Sequence, residues 1–218
     1  MKKLAKVEKT ALMTAYLRTF SDIPFTKEIF LGLKKFQNDI PIETKNPGLA
    51  PQLEARYKLI NRLLLANRPD QVLELAAGFS PRGLDVCSSN KHIKFVELDF
   101  FEIIKIKQAI FNKIPENLSF SPGDALKLAD IEKATRFFNH KKPVAIINEG
   151  LMRYLTFPQK TVLANNIRKI LQKFGGVWIT SDISLKKLLD EEDKINKSHT
   201  QSLIKLTKLD IEQNLFES

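Results

Sequence analysis

The chain has 218 residues, 43% hydrophobic and 28% charged, with 35 basic against 25 acidic side chains and a net charge of +10. That length fits one globular domain with a sizeable core, and no stretch approaches the ~20 apolar residues of a membrane span. The lysines run from Lys2 to Lys208 without a Lys/Arg block, which reads as a soluble surface rather than a nucleic-acid stripe; the lone Cys87 and the absence of an apolar leader core near the start fit a cytoplasmic protein.

Residues 8–20 place Ala11, Leu12, Ala15, Tyr16 and Thr19 at helical spacing. Thr26 is a cap for a second helix that runs to about Phe36 with Ile29, Phe30 and Leu33 on one face. Ile40 to Gly48 holds two prolines and reads as a loop. Pro51 suits the first turn of a third helix, which carries Leu53, Leu59, Ile60, Leu63 and Leu64 and ends near Arg68-Pro69.

From here the period changes. Gln71–Leu75 (QVLEL) reads as a strand that meets the turn AAGFSPRG. Lys94–Leu98 is a second strand ending at Asp99, followed by a helix with Ile103, Ile104, Lys107 and Ile110. Leu118–Ser121 is a third strand, residues 127–140 a helix, and Val144–Ile147 a buried fourth strand. A helix over about 157–173 ends at Gly175-Gly176, and Val177–Thr180 is a fifth strand. The Lys-rich tail after Asp182 reads as helical. Strands alternating with helices predict an α/β fold, a Rossmann-like parallel sheet with helices on both faces and an N-terminal helical cover. Residues 1–68 are read as the cover and substrate lid and residues 69–218 as the binding domain, together one structural unit.

Ligands of such sheets sit beyond the carboxyl ends of the strands, near the point where strand order reverses. Gly78, Asp99, Asp124 and Glu149 all fall just after strands. A glycine at position 78 lets backbone approach a ligand closely, though a structural turn needs one equally. Asp99, 21 residues after Gly78, can accept from both ribose hydroxyls; its alternative role is a helix cap. Asp124 can accept from an adenine amino group, with the Ala125 backbone at the ring edge, or can serve the turn alone. Asn148 and Glu149 are too polar for a buried strand interior, which favours a role in the site.

A dinucleotide fingerprint requires G-x-G-x-x-G, but Ala76 and Pro81 stand at two of its three glycine positions. That disfavours a nicotinamide-dependent oxidoreductase. S-adenosylmethionine has no phosphate and does not need that pattern. Glu74, next to the turn, could orient donors toward its methionine part or hold loop N–H groups. The three histidines show no metal-ligand spacing with Cys87, so no metal is expected.

Taken in order, Thr10–Arg18 (TALMTAYLR), Ala55–Asn61 (ARYKLIN), Val72–Gly78 (VLELAAG), Phe95–Asp99 (FVELD) with Lys107, Gly123–Leu126 (GDAL) and Asn148–Leu155 (NEGLMRYL) resemble the leucine carboxyl methyltransferase family, which includes bacterial relatives of polyketide-tailoring enzymes. The resemblance implies a class I S-adenosylmethionine-dependent O-methyltransferase, acting on a carboxylate or hydroxyl of a small molecule or a protein C-terminus and releasing S-adenosylhomocysteine. It implies Arg56 on the methionine carboxylate, Ala76 and Gly78 under the cofactor, Asp99 on the ribose, Asp124 and Ala125 at adenine, and Glu149 at the methionine end. A hydroxyl acceptor would need a base, for which Glu149 and Tyr154 are the candidates. The chain departs from the family at Ala76, where a glycine is usual, and at Asn61, where an aspartate is common. The family also continues into two further strands where this sequence stops at Ser218; a second copy, as a homodimer, is one way to cover the edge left open. Two other functions stay open: an RNA methyltransferase, from the positive charge, and a degenerate cofactor-binding module, from Ala76.

Overall fold

A computed structural model describes residues 6–36, 48–111 and 113–183. Of the loop expected over Ile40 to Gly48, residues 40–47 lie outside the described residues, as does the helix expected after Asp182 from residue 184 on. Three helices lead the chain: α1 (Lys6–Arg18), α2 (Thr26–Phe36) and α3 (Ala50–Ala66). Then come β1 (Gln71–Leu75), α4 (Arg82–Ser89), β2 (Lys94–Asp99), α5 (Phe101–Ile110), β3 (Leu118–Pro122), α6 (Leu128–Ala134), β4 (Val144–Asn148), α7 (Phe157–Phe174) and β5 (Gly176–Thr180). The sheet is parallel throughout, in the order β3-β2-β1-β4-β5. This is the expected Rossmann-like α/β architecture. The order reverses between β1 and β4, so a crevice opens at their carboxyl tips.

Side-chain alternation along the strands divides the core into two layers. Leu73, Leu75, Val96, Leu98 and Ile146 meet α6 and α7 on one face. Val72, Phe95, Ala145 and Ile147 meet α3 and α4 on the other. Each fully buried aliphatic side chain contributes about 1.5–3 kcal/mol. A third cluster joins Leu12 and Ala15 of α1 and Ile29 and Leu33 of α2 to Phe79 and Ile103, which fixes the leading helices over the tips of β1 and β2.

Three local expectations are corrected. Thr26 is the first residue of α2, and its hydroxyl donates backward to the Ile23 carbonyl at 2.9 Å instead of capping forward. The helix expected over 127–140 stops at Ala134, where the Thr135 hydroxyl donates to the Ile131 carbonyl and a series of turns follows. Helix α4 begins inside the segment read only as a turn. Its eight residues are too few for a clear period. Gly83 lets it sit directly on β2 and β3: a Cβ there would lie 2.7 Å from Leu118 Cδ1 and against the Glu97 carboxylate.

Candidate functional site

A cavity of about 460 Å³ opens at the carboxyl tips of β1 to β4, roofed by α1 and α3. That size falls within the ~300–1,000 Å³ of small-molecule sites. Its walls include Glu74, Ala76, Gly78, Asp99, Asp124, Ala125, Glu149 and Tyr154 from the sheet side, with Arg18 and Arg56 from the cover. Apart from Asn148, the site residues expected from the sequence therefore converge on one space. Leu17, Leu49, Leu53, Leu151 and Leu155 supply its apolar surface.

The turn after β1 forms the floor. Ala76 at φ 52° and Gly78 at φ 53° both adopt the left-handed conformation. The methyl group at position 76 thus does not prevent the turn; it is held in a conformation that costs an L-residue roughly 1–2 kcal/mol. The Gly78 N–H donates to Asp99 Oδ2 at 2.6 Å, and the Phe100 N–H donates to Asp99 Oδ1 at 2.7 Å. Phe100, not Asp99, is the N-cap of α5. Each carboxylate oxygen offers two acceptor directions, so both Asp99 oxygens keep one for a ligand. Burial raises the Asp99 pKa, partly offset by the two N–H donors.

Asp124 also works in its turn. Its N–H donates to Asp130 Oδ2 at 2.9 Å, and its Oδ1 accepts from the Leu126 N–H at 2.9 Å. Ala125 is buried, and its carbonyl accepts from Asn166 Nδ2 at 3.3 Å.

Beside this floor lies a buried ion cluster. Arg82, the first residue of α4, donates from Nε to Glu74 Oε1 at 2.9 Å and from Nη2 to Glu149 Oε2. Its Nη1 reaches Asn61 Oδ1 and, at 3.2 Å, the Tyr57 carbonyl; the guanidinium stacks on the Tyr57 ring at 4.5 Å. Tyr57 and Asn61 both donate to Asp85 Oδ2, at 2.8 and 3.1 Å. Burial pushes the Tyr57 hydroxyl pKa well above its ordinary value. Glu149 Oε1 accepts from Arg56 Nε at 2.9 Å and Arg18 Nη2 at 3.1 Å. Burial alone would raise the Glu149 pKa, but Arg18, Arg82 and Arg56 together bring it down to about 2.

Three guanidiniums thus pair with two carboxylates, and the Asp85 carboxylate joins the cluster through Tyr57 and Asn61. Two buried atoms of residues that line the cavity, Glu74 Oε2 and Arg18 Nε, have no hydrogen-bond partner among the described residues. Buried polar atoms are normally satisfied. An unsatisfied acceptor and an unsatisfied donor on residues of one wall suit a ligand end carrying both an ammonium and a carboxylate group.

The structure places Asn148 elsewhere. Its side chain is fully buried, accepting from Trp178 Nε1 at 2.6 Å and donating to Thr180 Oγ1 at 3.0 Å and Asp182 Oδ2 at 2.8 Å. That correction has a simple reason: the strand polarity that suggested a site role is satisfied across β4 and β5. Asp182, passed over in the sequence, also accepts from the Gly150 N–H at 2.6 Å and the Met152 N–H at 2.9 Å, so it holds the loop that carries Glu149. Arg18, Arg82, Asp85 and Tyr57 were likewise given no role from the sequence. For Arg82 a signal existed: an arginine opening a helix eight residues after a strand glutamate. Among the described residues no cluster could hold a metal ion, and no helix is long and apolar enough to cross a membrane.

Comparison with known proteins gives a family match, leucine carboxyl methyltransferase, over residues 16–168. Among solved structures, a candidate methyltransferase of Thermobifida fusca YX is similar with a TM-score of 0.54 at 16% identity, over 84% of this chain and 72% of its own. A candidate O-methyltransferase of Nostoc punctiforme PCC 73102 gives 0.50 at 13% identity, over 92% of this chain. The chain spans only 56% of that protein's length. At such identities these two likenesses establish the shared fold.

Proposed function

This chain belongs to the leucine carboxyl methyltransferase family, and from that premise we propose that it transfers a methyl group from S-adenosylmethionine to an acceptor oxygen, that of a carboxylate on a small molecule or protein C-terminus. When bound, the cofactor supplies a methyl group already activated by its sulfonium. Arg56 and Arg18 would hold the methionine carboxylate, a pairing suited to guanidinium. Glu74 would accept from the amino group, Asp99 from the ribose hydroxyls, and Asp124 from adenine. Ala76 and Gly78 keep the floor low, and the apolar wall excludes water while the reactants are held in line.

The observation that favours a carboxylate acceptor is the state of Glu149. With both oxygens occupied by arginines and a pKa of about 2, it is a poor proton acceptor. Among the described residues the cavity walls carry no histidine. A hydroxyl acceptor must lose a proton at attack, whereas a carboxylate arrives already ionised near neutral pH. Tyr154 remains at the wall as a group that can orient the acceptor.

The test uses S-adenosylmethionine carrying a tritiated methyl group and a panel of carboxylate and hydroxyl acceptors. A methyl ester releases its label as volatile methanol in mild alkali; an ether or methylamine retains it. Alkali-labile incorporation is expected. Alkali-stable incorporation alone would overturn the carboxylate assignment.

A further inference from the structure

We propose that Lys107 is a positioning residue for the cofactor: it sets the turn after β1 by holding the Ser80 carbonyl. This rests on the function proposed above. Lys107 lies on α5 and is fully buried, yet it does not line the cavity. Its ammonium donates to the Ser80 carbonyl at 2.5 Å and to Glu97 Oε2. Glu97, paired in register with Glu74 across β1 and β2, is also fully buried.

Burying two charges costs more than their attraction returns unless every donor and acceptor is satisfied; apolar residues of similar volume often serve stability better. Here the satisfaction is incomplete, because Glu97 Oε1 has no partner among the described residues. The pair is thus a poor device for stability alone. What an apolar pair could not do is fix a backbone carbonyl. Ser80 closes the turn: its N–H donates to the Ala77 carbonyl at 3.0 Å, while Gly78 in between donates to Asp99. Drawing the Ser80 carbonyl toward α5 orients the intervening peptides, including the Gly78 N–H that aims the Asp99 carboxylate. Glu97 Oε2 accepts from the same ammonium and so holds it against the turn.

The experiment compares Lys107→Met with the double variant Glu97→Leu/Lys107→Met, reading thermal unfolding and calorimetric affinity for S-adenosylhomocysteine. The single variant leaves the Glu97 carboxyl buried without its ammonium partner, and its midpoint should fall. The double variant removes both charges, so its midpoint should return close to that of the wild type. Its affinity should nevertheless stay roughly 10-fold or more weaker, as expected when one charge-assisted hydrogen bond to the turn is lost. Faster amide exchange at Gly78 should accompany it. If the single variant does not fold, the double variant alone decides. A folded double variant binding within twofold of the wild type would overturn the positioning role. A wild-type protein that is folded and does not bind would instead overturn the cofactor reading beneath it.

Discussion

Arg82 ties three elements together, and replacing it by methionine gives the sharpest stability test. Its guanidinium is fully buried and bonds to Glu74 on β1, to Glu149 after β4, and to the Tyr57 carbonyl and Asn61 on α3. Methionine is apolar and comparably long, so the loss is mainly electrostatic. Glu149 keeps Arg18 and Arg56, but Glu74 loses its ion-pair partner. Removing one partner of a buried pair costs about 3–5 kcal/mol. For a domain of this size that lowers the unfolding midpoint by ~6–20 °C, at ~2–4 °C per kcal/mol. Urea unfolding followed by circular dichroism measures it. The double variant Arg82→Met/Glu74→Gln should recover at least ~1 kcal/mol, because it no longer strands a charge. A single-variant loss below ~1 kcal/mol would refute the view that this cluster holds the site together.

Two further outcomes follow. Ala76→Gly should raise the midpoint by up to ~6 °C, because relief of a left-handed alanine, ~1–2 kcal/mol, offsets the ~0.5–1 kcal/mol entropic cost of glycine; a lowered midpoint would contradict it. Glu149 has a folded pKa of about 2 against an ordinary 4.5, so its stabilisation is present above pH 4.5 and lost as pH falls toward 2. The loss amounts to roughly 3 kcal/mol. The stability gap between the wild type and Glu149→Gln in urea titrations should therefore close across that window, and a constant gap would count against the three-arginine environment.

The sheet was legible because its strands are short, apolar and punctuated. Leu73 and Leu75, then Val96 and Leu98, alternate with Val72 and Phe95 in the order that two covered faces require. The tip positions followed from topology, which is why Gly78, Asp99, Asp124 and Glu149 could be placed on one space. The ion cluster was far less legible. Glu149 meets Arg18 across 131 positions and Arg82 across 67, and no local period reports such pairings. Asn148 misled for a related reason: its partners Trp178, Thr180 and Asp182 come from the next strand and beyond. Asp99 was legible by position, but its bond to the Gly78 N–H depends on a turn whose left-handed Ala76 the sequence would not suggest.

Calorimetric titration of S-adenosylhomocysteine into the wild type and Asp99→Ala, each shown to be folded, tests the nucleoside cradle most directly. Saturable one-to-one binding by the wild type, weakened at least ~10-fold in the variant, is the predicted result. Equal affinity in both proteins, or no heat from the folded wild type, would contradict it.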